Sequence, residues 1–86
     1  MEQAGFVSLN RSETIETFGQ RLMKARKARG LSIRQLSEKT GIGHVTLASY
    51  EIEEHEPRLF YLVCIADALE VSIDWLAGRS EVEWCA

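Results

Sequence analysis

The sequence predicts an all-α domain of five short helices, and three observations carry that reading. Apolar residues recur at three- and four-residue spacing along most of the chain, and no convincing strand, internal repeat or low-complexity tract interrupts them. Gly30, Gly41, Pro57 and Gly78 punctuate the pattern where helices are expected to stop or turn. Capping residues stand at helix starts, above all Ser32 with Gln35 three positions on, which together make a capping box. Five such helices around one core favour steep crossings over a parallel bundle.

Each element follows from its own residues. Residues 1–12 are mixed and aperiodic, and read as a flexible N-terminal segment whose single cation is Arg11. The first helix is expected to begin near Ser12–Thr14, where hydroxyls accompany Glu13 and Glu16. Ile15, Phe18, Leu22 and Ala25 form its buried stripe, Arg26, Lys27 and Arg29 fill its last turn, and Gly30 caps it. Gly19 within it costs about 1 kcal/mol relative to Ala, so close packing against a neighbour is the expected compensation. The second helix covers about Ile33–Lys39 and the third about Gly43–Glu51, with Gly41 supplying a positive φ between them. Ile52–Arg58 is a loop holding the only proline. The fourth helix spans about Leu59–Leu69, with Leu59, Leu62, Ile65, Ala66 and Leu69 on one face. Ser72 caps a short fifth helix in which Ile73, Trp75 and Leu76 pack and which Gly78 ends. The domain is therefore placed at 13–78 and a C-terminal tail at 79–86.

Composition narrows the function classes. Eighty-six residues make one domain, and a 45% hydrophobic fraction is ordinary for a globular chain. No apolar run approaches the ~20 residues of a bilayer span, and the N-terminus lacks the layout of a signal peptide. Two dispersed thiols, Cys64 and Cys85, make no disulfide framework, so a reducing cytoplasm is expected. His44, His55, Cys64 and Cys85 lack the paired spacing of a zinc site, so neither metal nor other cofactor is expected. No nucleophile–base–acid set is recognisable, which argues against an enzyme. The net charge is −3, but it is unevenly spread. Residues 21–39 carry seven cations against Glu38 alone, whereas residues 51–86 carry nine acids against Arg58 and Arg79. One face can then meet phosphates while the acidic side points away.

The second and third helices have the pattern of a helix-turn-helix, a motif whose second helix enters the major groove of double-stranded DNA. At 100° per residue, His44, Val45, Ala48 and Ser49 share one face of the third helix, while Thr46, Leu47 and Tyr50 lie around the other side. The first set is small or polar and permits close approach to base edges. His44 can exchange a hydrogen bond with a purine or phosphate, Val45 can touch a thymine methyl, and Ser49 suits several bases. None of them is the bidentate Arg, Asn or Gln that gives most direct specificity. Lys24, Lys27, Arg34 and Arg58 are candidate phosphate contacts, which supply salt-dependent affinity without sequence information.

Residues 15–78 resemble the XRE family, the phage-repressor and Cro-like helix-turn-helix domains. The resemblance rests on FGQRLMKARKARGLS, QLSEKTGI, TLASYE and PRLFYLVCIADALEVSIDWLAG in that order and spacing. It implies a five-helix phage-repressor-like DNA-binding domain. The implied function is that of a sequence-specific transcriptional regulator of repressor type, binding a two-fold operator as a homodimer. His44, Val45 and Ser49, with Thr46 beside them, match the base-reading positions, and Arg58 after Pro57 matches a backbone-approaching one. Arg26 and Glu51 match a structural ion pair. Ile33 departs from the family, which often has a glutamine there. The loop departs too, since Glu51, Glu53, Glu54 and Glu56 place four carboxylates in six positions. A loop of that charge facing DNA weakens binding; facing away, it suits a protein partner. The alternative function is therefore a protein-interaction module on the same fold, an antitoxin or an adaptor. Trp75, Val82 and Trp84 are candidates for an apolar dimer surface, although the core is the simpler place for Trp75. A dimer would set its reading helices about 34 Å apart. The length leaves no room for a sensor domain, unless the chain is the DNA-binding half of a longer repressor.

Overall fold

A computed structural model describes residues 16–80 and 83 of the chain. Five helices follow in order: α1 Phe18–Ala28, α2 Ile33–Thr40, α3 His44–Glu51, α4 Leu59–Leu69 and α5 Ile73–Leu76. No strand occurs among the described residues.

α1 starts later than the expected Ser12–Thr14. Thr17 is extended (φ −75°, ψ 169°) and forms a capping box with Gln20, a start signal that hydroxyl content alone did not single out. Ser12–Thr14, Ile15 and the N-terminal segment lie outside the described residues. At the other end Arg29 is the C-cap and Gly30 follows at φ 69°. The N–H of Gly30 donates to Lys27 O and that of Leu31 to Arg26 O, the paired bonds of a Schellman turn. Ser32 and Gln35 form the expected capping box on α2, and Gly41 (φ 78°) ends it.

Leu22, Leu36, Leu47, Ile65, Leu69 and Leu76 are fully buried and make the core with Ala25, Ile42, Tyr50, Ala66, Val71 and Trp75. α1 packs on α3 and α5, and α4 packs on α2 and α5. Gly19 allows the first contact: a Cβ there would stand 2.6 Å from Tyr50 O and 2.9 Å from Glu51 O. Leu59 leaves the expected stripe of α4 and is 74% exposed. It lies on the first turn, about 70° from the centre of the buried face at 100° per residue. Ile73 is also exposed, because the single turn of α5 turns Trp75 and Leu76 inward instead.

Arg21 closes the C-terminal end. Its guanidinium lies 4.9 Å from the Trp75 ring centroid and donates to Trp75 O (2.7 Å) and Ser80 O (2.8 Å). Ser72 N–H donates to Glu83 O at 2.7 Å, and Arg29 meets the Glu83 carboxylate at 3.5 Å, so these tail residues return to the domain. Trp75 is only 3% exposed. Its assignment to a dimer surface is therefore corrected: the ring is covered by its own chain. Val82 and Trp84 lie outside the described residues.

Candidate nucleic-acid interface

The turn between α2 and α3 is fixed by side chains as well as by Gly41. The Ser37 hydroxyl donates to Ile42 O at 2.6 Å, and the Thr40 hydroxyl donates to Leu36 O while accepting from Ile42 N–H at 3.2 Å. Ile42 is buried and acts as the pivot. Leu47 and Tyr50 hold the inner side of α3 in the core, and Phe18 packs edge-on against Tyr50 (centroids 5.9 Å apart).

The far end of α3 is tied by charge. Arg26 Nε and Nη2 donate to the two Glu51 carboxylate oxygens at 2.7 and 3.0 Å, and Nη1 donates to Leu31 O at 2.7 Å. Both side chains are nearly buried. The Glu51 hydrogen bonds raise the Arg26 pKa further above its ordinary value, against the opposing effect of burial. This pair links α1 to the end of α3 and also satisfies a carbonyl at the start of α2.

With both ends pinned, α3 presents the opposite side outward. His44 is exposed and Val45 is 71% exposed at its first turn. Thr46, Ala48 and Ser49 are half-buried. The Ser49 hydroxyl donates to Thr46 O at 2.6 Å, which leaves its oxygen free to act as an acceptor. Ile33 packs against the core from the start of α2, so this departure has a packing role.

An open groove of about 770 Å³ runs beside α3. It is lined by Val45, Thr46, Ser49 and Tyr50 of α3, by residues 54–57 of the loop, and by Arg58 and Tyr61 at the start of α4. The Arg58 guanidinium lies 5.0 Å from the Tyr61 ring centroid. Burial raises the Tyr50 pKa, with Tyr61 adding to the rise and Arg58 opposing it.

The structure sorts the four loop carboxylates. Glu51 pairs with Arg26. Glu53 adopts φ 65° and accepts the Thr17 hydroxyl hydrogen, which ties the loop to the start of α1. Glu54 and Glu56 line the groove. Part of the acidic loop therefore borders the outer face of α3.

The four candidate phosphate cations are not brought together. Arg58 lines the groove. Lys24 is exposed on α1 and lies 3.5 Å from Glu16 Oε1. Lys27 and Arg34 are exposed on α1 and α2. Tyr61 was missed in the sequence, although its i, i+3 spacing from Arg58 places the pair on one helix face.

Residues 22–76 match the family described as Helix-turn-helix. The chain belongs to that family, in its XRE, phage-repressor and Cro-like branch. It is 43% identical over 60 residues to the cryptic phage CTXphi transcriptional repressor RstR of Vibrio cholerae, covering 70% of this chain and 54% of that protein. It is 40% identical over 62 residues to YobD, an uncharacterized HTH-type transcriptional regulator of Bacillus subtilis, covering 72% and 55%. Among solved structures, the P22 c2 repressor in complex with a synthetic operator superposes with a TM-score of 0.72 at 26% identity, covering 76% of this chain and 98% of that one. The chain spans about half the length of the curated relatives it matches. No helix among the described residues is long and apolar enough to cross a membrane, and no three His, Cys, Asp or Glu side chains there converge on a metal site.

Proposed function

We propose that this chain is a cytoplasmic transcriptional repressor that binds operator DNA as a homodimer. One observation carries the reading. α3 is clamped by Leu47, Tyr50 and the Arg26–Glu51 pair, and its outer side offers small or polar groups beside a groove. A helix held so firmly by its inner side is suited to reading base edges, because its side chains are positioned before DNA arrives.

In this reading His44 and Val45, on the first turn, go deepest into the major groove. Thr46 and Ser49 follow. With its hydrogen committed to Thr46 O, Ser49 accepts from the exocyclic amine of adenine or cytosine. Arg58 meets one phosphate strand from the groove wall, stiffened by its stack on Tyr61. Lys24, Lys27 and Arg34 supply further phosphate contacts. A relative named as a transcriptional repressor and a neighbour solved on its operator support this assignment.

Selection of bound sequences from randomised duplex DNA, at two salt concentrations, tests the proposal. Enrichment of one two-fold symmetric sequence, with affinity falling as salt rises, is the expected result. Recovery of a random pool overturns it. The second reading, a protein-interaction module, is favoured by Glu54 and Glu56, which line the groove, where carboxylates oppose phosphate. It gains if selection fails while charge reversal at these two positions abolishes capture of a basic partner.

A further inference from the structure

The groove beside α3 contains a titratable group that the reading above does not use. His55 is exposed on the loop and lines the groove between Glu54 and Glu56. Its charged and titratable neighbours in that lining are Tyr50 from α3, Glu54 and Glu56 from the loop, and Arg58 and Tyr61 from the start of α4. Two carboxylates against one guanidinium leave the lining with one net negative charge. A proton on His55 cancels it. Of these side chains, imidazole is the type whose charge ordinarily changes between pH 5 and 8. Burial holds the Tyr50 phenol above its ordinary value, so it stays neutral across that range.

We infer that His55 is a further DNA contact, made to a backbone phosphate in its protonated form, so that operator binding takes up a proton. The inference deepens the DNA-binding reading and rests on it. With α3 in the major groove of a duplex, the strand that Arg58 meets passes along this same lining. A neutral imidazole there leaves the carboxylates in excess, and phosphate is repelled. A protonated one removes the excess, and both of its ring nitrogens donate. Binding and protonation are then reciprocal. Phosphate favours the charged imidazole, and the charged imidazole favours phosphate to the same extent. Affinity is therefore highest at low pH and falls as pH rises.

The chain's other histidine does not share this setting. His44 is exposed on the first turn of α3 and does not line the groove. Its proposed partners are base edges, which imidazole can hydrogen-bond in either protonation state. A unit charge about 4 Å from a phosphate in water is worth about fivefold in affinity, and that sets the size of the effect at His55.

The test uses the full chain and the duplex enriched by selection. Fluorescence anisotropy at fixed ionic strength compares the parent, His55→Gln and His55→Lys at about pH 8 and about pH 5.5, on either side of the imidazole range. The affinity ratio of parent to His55→Gln is expected to rise about fivefold from the higher pH to the lower. Groups shared by the two proteins cancel in that ratio. His55→Lys carries a fixed cation, and is expected to bind about fivefold more tightly than the parent at the higher pH but not at the lower. At the lower pH the parent's salt dependence is expected to be steeper than that of His55→Gln by about 0.9 in log–log slope. His55 is exposed, so folding is expected to persist, and circular dichroism at each pH checks it. A ratio that does not change with pH, or a lysine variant no tighter than the parent at the higher pH, overturns the inference while the DNA reading stands. Absence of duplex binding by the parent at both pH values overturns the DNA reading and this inference with it.

Discussion

Replacing Gly19 by alanine tests the fit that sets the position of α3. In an exposed helix this change stabilises by about 1 kcal/mol, because Gly has the poorer propensity. Here the added Cβ would stand 2.6 Å from Tyr50 O, 2.9 Å from Glu51 O and 2.8 Å from Glu53 Cγ. The Glu53 side chain can swing away, at the loss of its bond to Thr17. The two backbone oxygens cannot. Reaching ordinary contact, 3.4 Å, requires α1 and the end of α3 to part by about 0.8 Å. Overpacking of this kind costs about 1–3 kcal/mol. The same parting stretches the 2.7 and 3.0 Å bonds from Arg26 to Glu51, which span the same two helices. Subtracting the propensity gain of about 1 kcal/mol leaves about 0–2 kcal/mol, and the stretched ion pair puts the expected net destabilisation in the upper half of that span, about 1–2 kcal/mol. For a domain of this size each kcal/mol lowers Tm by about 4–8 °C. Thermal unfolding followed by circular dichroism reads it directly. A variant as stable as the parent, or more so, would refute the claim that backbone contact at Gly19 positions α3.

Four further outcomes are expected. Gly43→Ser should act in the opposite direction and stabilise by about 0.5–1 kcal/mol in urea unfolding, since Gly43 is an N-cap without a side-chain bond and a Cβ there would meet only Thr46 Oγ1, at an ordinary 3.9 Å. Glu51→Gln should destabilise by about 3 kcal/mol, because it leaves the nearly buried Arg26 without its counter-charge; the double change Arg26→Met with Glu51→Leu should restore part of that loss in the same urea titration. Glu54→Gln with Glu56→Gln should tighten DNA binding at low salt by up to about tenfold per removed charge near phosphate, whereas Glu53→Gln, whose carboxylate is held by Thr17, should not; fluorescence anisotropy on one duplex compares them. His44→Ala with Ser49→Ala should erase sequence preference in a competition between selected and scrambled duplexes while helical content is kept.

The helices were legible where a local signal is complete. Ser32 with Gln35, Gly41, and the apolar spacing in α2 and α4 need only a few neighbouring residues, and their bounds fell within one position of expectation. The start of α1 was not, because Ser12, Thr14 and Thr17 all qualify as caps. What separates them is the reciprocal bond from Gln20, a residue whose role depends on the register chosen. Exposure of Leu59 was likewise hidden. A helix apolar on nearly every side has no unique buried stripe, so periodicity cannot tell which leucine faces the core. In the site, the Arg26–Glu51 pair came from the family resemblance and the geometry now accounts for it. The division of the loop acids did not follow from spacing, since Glu53 leaves its neighbours only through a positive φ at a non-glycine residue.

That division sets the electrostatic character of the interface. If all four carboxylates faced the groove, a phosphate strand beside α3 would meet a wall of negative charge. Two of them are instead engaged by the fold, Glu51 nearly buried against Arg26 and Glu53, still exposed, accepting from Thr17. The remaining two are opposed within the same groove by Arg58. Attraction there is consequently weak, and the excess of cations lies on α1 and α2, none of whose residues line the groove. Affinity for any duplex then depends mainly on those outer cations. In the proposed function, discrimination falls to the short polar groups of α3, whose single hydrogen bonds each discriminate modestly. Such a reader gains most from acting twice on one site, since two modest readings multiply when the copies are coupled.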